Sequence, residues 1–181
     1  MPLRINSDLP NRSMTSHRRA AAAAMAAALL LGPGCGKSKP TAIDAATTRI
    51  KLRTSQYAEA LKVGMPAALA AFFTTDGELD EPNLAPIVGT AAITQFYAAI
   101  SNTVQVAAVE LAPLRLDIDN AASPPVAHQW GTVLEVAAEP GKAPVTLTGR
   151  FVARWRLDRD GEWRLAQLLM QPAPPTQWAR L

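Results

Sequence analysis

Cysteine occurs once in the 181 residues, at Cys35, so no disulfide can form within the chain. Histidine occurs twice, at His17 and His128. One histidine beyond the N-terminal region and no second cysteine cannot supply ordinary zinc ligation, and no metal or other cofactor is expected. There is no glycine-rich phosphate loop, no internal repeat and no Ser–His–Asp arrangement. The longest apolar run, residues 20–31, is an alanine-rich stretch of 12 residues, short of the ~20 that a membrane-spanning helix needs.

That run is preceded by His17, Arg18 and Arg19 and followed by Gly32-Pro33-Gly34. A positive flank, a short apolar core and a small-residue exit read as a secretory signal over residues 1–34, cleaved in the mature protein. A buried alanine-rich helix fits less well, because Gly-Pro-Gly ends the run at once; an uncleaved anchor is the other alternative. Ser16 to Arg19 faintly resembles a twin-arginine signal. Cys35, directly after the core, resembles the lipid-modified cysteine of a bacterial lipoprotein, although Leu31 sits one place further back than that pattern has it. Soluble export and an incidental cysteine stay open beside lipidation. On this reading the protein is exported to the periplasm or cell envelope, membrane-bound through Cys35, with residues 35–42 as anchor and tether.

An excess of charge is also lacking. Removing residues 1–34 takes Arg4, Arg12, Arg18, Arg19 and Asp8 from the 18 basic and 15 acidic side chains and leaves 14 of each. The basic sequence pI of about 9.4 therefore belongs to the signal, and no nucleic-acid partner is expected. Arg150, Arg154, Arg156, Arg159 and Arg164 lie late in the chain, but Asp158, Asp160 and Glu162 interleave with them.

What is present is a change of period. Ile50, Thr54, Tyr57, Ala58 and Leu61 recur at helical spacing, and Gly64 ends a first helix that begins near Ile43. Pro66 suits the start of a short second helix with Leu69, Phe72 and Phe73 as its apolar stripe. Asp76-Gly77 signals a turn, Glu78 to Pro82 a brief strand, and Asn83 to Val88 a loop or second short strand. Thr90 is a candidate N-cap for a third helix carrying Ile93, Phe96, Tyr97 and Ile100. From Val104 the period becomes two. A long strand is interrupted at Pro113, where a bulge or edge is expected. On the next strand Val126, His128, Trp130, Thr132, Leu134 and Val136 share a face, and on the one after it Val145, Leu147, Phe151, Trp155 and Leu157 form an apolar face opposite Arg150, Arg154 and Arg156. Glu162–Gln171 closes a meander of about four strands, and residues 172–181 form a proline-rich tail. The expected fold is α+β: three N-terminal helices packed in the concave face of a strongly curved antiparallel sheet, a cone-shaped α+β barrel over residues 43–171.

Tyr57, Leu61, Gly64, Phe73, Asp76, Glu81-Pro82, Gly89-Thr90-Ala91-Ala92-Ile93 and Phe96-Tyr97, with the closing hairpin Asp158 to Arg164, resemble the nuclear transport factor 2-like superfamily. Its SnoaL-like and ketosteroid-isomerase-like branches are nearest. The superfamily holds isomerases, cyclases, dehydratases, hydrolases and pocketed proteins without known chemistry, so function rests on the site. The resemblance implies that Tyr57 stabilises a developing enolate and that Glu81, before Pro82, is the general base. It also implies a protonated acid on the penultimate strand, where Ala153 stands. Asp76 and His128 are further catalytic candidates, and Phe72, Phe73, Phe96, Trp130, Phe151 and Trp155 are candidate ligand contacts. Each has a plainer reading: Tyr57 as a core residue, Glu81, Asp76 and His128 as exposed or structural ones. Two functions follow. One is an exported pocket protein holding a small, mostly apolar molecule or serving as an envelope assembly module; the other is an isomerase, cyclase or dehydratase. A homodimer through the outer sheet face is implied by the resemblance alone.

Overall fold

The computed structural model describes residues 41–173, so the signal, Cys35 and the end of the tail lie outside the described residues. Helix α1 (Ala42–Val63) opens on a reciprocal cap: the Thr41 hydroxyl accepts from the Asp44 amide, and the Asp44 carboxylate accepts from the Thr41 amide. Its end is set by Gly64, which turns left-handed at φ 67° and returns its amide to the Ala60 carbonyl. Pro66 then starts α2 (Pro66–Ala70), a single turn or so. Phe73 belongs to β1 (Phe73–Asp80) rather than to a helical stripe. The Asp76-Gly77 pair forms an irregularity within this strand instead of a turn: register shifts between Phe73 and Glu78, and a Cβ on Gly77 would press on the Leu165 and Thr74 carbonyls. The β-branched Thr74 and Thr75 favour the extended chain on which that bulge sits.

After β2 (Ile87–Val88) comes α3 (Thr90–Ser101), capped by Gly89. Thr90 is its first residue and gives no side-chain cap, which corrects the expectation from sequence. Four long strands follow: β3 (Gln105–Asp119), β4 (Val126–Ala138), β5 (Val145–Leu157) and β6 (Trp163–Pro172). Sheet order is β2-β1-β6-β5-β4-β3, which puts β3 on an edge; its register slips at Pro113, as that residue requires. The sheet is not wholly antiparallel, because β1 runs parallel to β6. No hairpin joins those two strands, so no short connection forces the opposite sense.

The curved sheet holds the helices on its inner face, as expected of the cone. Ile50 and Tyr57 of α1 meet Phe151, Ala153 and Trp155 of β5 within one core. Small residues on β4 make room for this: Ala127 is fully buried, and at Gly131 a Cβ would overlap the Phe151 ring and the Ala112 carbonyl. Thr54, Thr74 and Gln129 are the polar side chains sealed in among the described residues. Gln129 Oε1 accepts from the Trp155 indole and the Thr54 hydroxyl, each at 3.0 Å.

Candidate functional site

The site grows from one turn of α1. Tyr57 is 2% exposed, with its ring edge-on to Phe72 and Phe73. Those phenylalanines come from the α2–β1 junction, so two adjacent elements fix the tyrosine's rotamer from below. Its hydroxyl shares a hydrogen bond with that of Tyr97, brought in by α3. Burial pushes both phenols above their ordinary value, and the Glu81 and Glu135 charges push the same way, so both stay protonated. Two hydroxyls carry two hydrogens. One lies between the oxygens, and no described residue accepts the other.

A cavity of about 170 Å³ opens at this pair, with Glu81, Glu135, Leu61, Val133 and Met170 in its wall. Glu81 follows the last residue of β1, and both it and Pro82 line the cavity. Burial first, then the Glu135 charge, raises its carboxyl to about 7. Glu135 projects from β4 and is itself raised by burial. Among the described residues no lysine or arginine offsets either shift. A larger cavity of about 560 Å³ adjoins the first, sharing Leu61, Glu81, Tyr97, Glu135 and Leu147 and reaching the ends of α1 and α3. Together the two fall within the ~300–1,000 Å³ usual for a small-molecule site.

Of the four catalytic candidates, the structure brings Tyr57 and Glu81 together and leaves the other two outside. Asp76 is exposed and paired with Arg156, whose hydrogen bonds at 2.5 and 3.1 Å, with help from Thr74, hold the carboxyl well below its usual range. His128 is exposed on the outer sheet face, stacked on Trp130, over which Arg115 also lies. The β4 face expected to point inward therefore points outward; its odd-numbered neighbours Ala127, Gln129, Gly131, Val133 and Glu135 face the core and cavity. A strand alternates strictly, so choosing the face richer in large apolar groups inverts every side chain on it. At Gly131 the inner face is filled by the neighbouring strands themselves, the Phe151 ring of β5 and the Ala112 carbonyl of β3.

Among the ligand-contact candidates, Phe96 lines the larger cavity. Phe72, Phe73, Phe151 and Trp155 build the core behind the tyrosines, and Trp130 lies on the opposite face. Ala153 is a core residue and supplies no acid. Two site residues escaped the sequence reading. Tyr97 was legible only as a member of the α3 stripe and of the resemblance, and Glu135 lies on the β4 face opposite His128 and Trp130; a single carboxylate in the run Val133-Leu134-Glu135-Val136 was its available signal.

Chemically the cavity offers a carboxyl titrating near neutrality, a second carboxylate beside it, a buried hydroxyl hydrogen without an acceptor, and apolar walls. Relatives share the framework. A steroid Δ-isomerase of Nocardioides simplex is 38% identical over 56 residues, a stretch covering 30% of this chain and 46% of that protein, so the match spans just under half the relative's length. A ketosteroid isomerase-like protein from Erwinia carotovora atroseptica superposes with a TM-score of 0.60 at 18% identity, covering 71% of this chain and 96% of that one. A putative scytalone dehydratase from Novosphingobium aromaticivorans gives 0.60 at 19%, covering 72% and 85%. The model of the SnoaL-like domain matches residues 54–166. With three helices in a curved six-stranded sheet and a match across most of it, this chain belongs to the SnoaL-like domain family.

Proposed function

We propose that the domain is an acid–base enzyme of the isomerase, dehydratase or cyclase kind, acting on a small, mostly apolar carbonyl compound. The observation that carries this reading is the meeting of Glu81 with the Tyr57–Tyr97 pair in one cavity, the carboxyl raised to about 7. A general base works best when it titrates near the operating pH. Glu81 takes a proton from the carbon beside the carbonyl, and the electron pair moves onto the carbonyl oxygen. The free hydroxyl hydrogen of the tyrosine pair meets that oxyanion, in a site that needs little reorganisation to do so. Protonated Glu81 then returns the proton to another carbon, giving an isomer; if a hydroxide leaves from the neighbouring carbon as water, the result is a dehydration.

Ala153 argues for a second reading, a binder that transforms nothing, because it removes the acid that steroid-isomerase relatives are expected to use. Export and a lipid anchor at Cys35 are part of the proposal in either case, supported by the sequence before residue 41. A β,γ-unsaturated ketone with a straight chain separates the two readings. Appearance of the conjugated enone's ultraviolet absorption, at a rate that rises with pH through about 7, is the expected outcome. Saturable binding of the ketone with no conversion above the buffer rate would establish the binder instead.

A further inference from the structure

The two cavities at the tyrosine pair do not end there. A third, of about 260 Å³, shares Val104 and Leu147 with the larger one and is walled by Val145 and Ala137 near the open end of β5. Leu147 borders all three. Along this path stand apolar side chains that the fold leaves in water: Leu147 is 52% exposed, Val145 57%, Val63 68%. A cavity serving one compact ring system has no use for such an extension.

We propose that the three cavities form one channel for an elongated, single-chain molecule with an uncharged, oxygen-bearing head. The head sits at Tyr57 and Tyr97, where the spare hydroxyl hydrogen needs an acceptor, and the tail runs past Leu147 toward Val104 and Val145. Charge selects the head. Glu81 and Glu135 border both inner cavities, and the cations near the channel are already engaged, Lys62 with Glu59 at 2.6 Å and Lys142 with Glu139 at 2.5 Å. A carboxylate head would therefore meet two acids and, among the described residues, no free base. This inference takes the polar end from the proposed function but does not need the chemistry to occur.

Calorimetric titration of the whole domain with straight-chain methyl ketones from hexanone to dodecanone tests it, with decanoate as the anionic counterpart, above the Glu81 titration. Affinity is expected to rise about fourfold per added methylene, as burial of each group from water predicts, and decanoate to bind at least about tenfold more weakly than decanone. Leu147→Arg should flatten the series. Val145→Arg, at the far end and equally exposed, should remove the gain only for the longest ketones, and a thermal melt of each variant checks folding. An affinity that stops rising after hexanone, or decanoate binding as tightly as decanone, overturns the channel. Chain-length dependence without turnover of the unsaturated ketone supports the channel and defeats the catalytic reading.

Discussion

Glu81→Gln is expected to lower kcat on the unsaturated ketone by about 10²–10⁴ while leaving its binding within a few-fold. The amide has nearly the carboxyl's shape and keeps the cavity filled, but it cannot accept the substrate's proton. A second effect, of opposite sign, falls on stability. The Glu81 carboxyl rises from 4.5 to about 7 on folding because the charged form is desolvated and faces Glu135. A group whose pKa is raised in the folded state contributes stability that is fully present below its unfolded value and lost as pH rises through the folded one. Between about pH 4.5 and 7 the wild-type domain should therefore lose ground to the glutamine variant. Above that window the variant should be more stable by about 1–3 kcal/mol, read as a higher denaturation midpoint. Activity gained and stability lost over the same pH interval is the signature of a base held in an unfavourable place for its function.

The double replacement Tyr57→Phe/Tyr97→Phe should cost about 10²–10³ in kcat, the range found on removing an oxyanion donor. Each single variant should cost less. Removing one hydroxyl frees the hydrogen of the other, so a donor survives, displaced and no longer polarised by its neighbour. The effects are then non-additive in a definite direction, the pair costing more than the product of the singles. Because the two rings keep their edge-on contacts with Phe72, Phe73 and Phe96, folding should change little. A structural role for the hydroxyls alone would instead lower the melting temperature and leave kcat in place.

How much of this was legible before the structure depends on which physical signal each part leaves. Helix α1 declared itself through period and the Gly64 stop, and Pro113 announced an edge because it has no amide to give a neighbouring strand. Tyr57 and Glu81 came from resemblance, and the structure seats both at one cavity. The short element after α2 was harder. Asp76-Gly77 carries the same composition in a turn and in a bulge, and only the partner strand β6, some ninety residues later, decides between them. The face of β4 was decided by packing rather than by hydrophobicity. Trp130 and Leu134 look like core residues, yet the inner face at Gly131 is already filled by the Phe151 ring and the Ala112 carbonyl, and Ala127 beside it is fully buried. With that inversion went His128, which moved outside, and Glu135, which moved in. Asp76 was lost as a candidate for a different reason: its partner Arg156 lies 80 residues away, and no local pattern marks the pair.

The account stands on Glu81 being a carboxyl that titrates near neutrality because burial in the cavity wall, and then the Glu135 charge, disfavour its ionised form. Carbon-13 NMR of the glutamate side chains, followed across pH in the wild-type domain and in Glu135→Gln, reads this directly. The Glu81 resonance should titrate near 7 in the wild type and at a lower pH in the variant, since one of the two raising influences has gone. A Glu81 carboxyl that titrates at the ordinary value of 4.5 in both proteins would contradict the assignment of a buried base and with it the proposed chemistry.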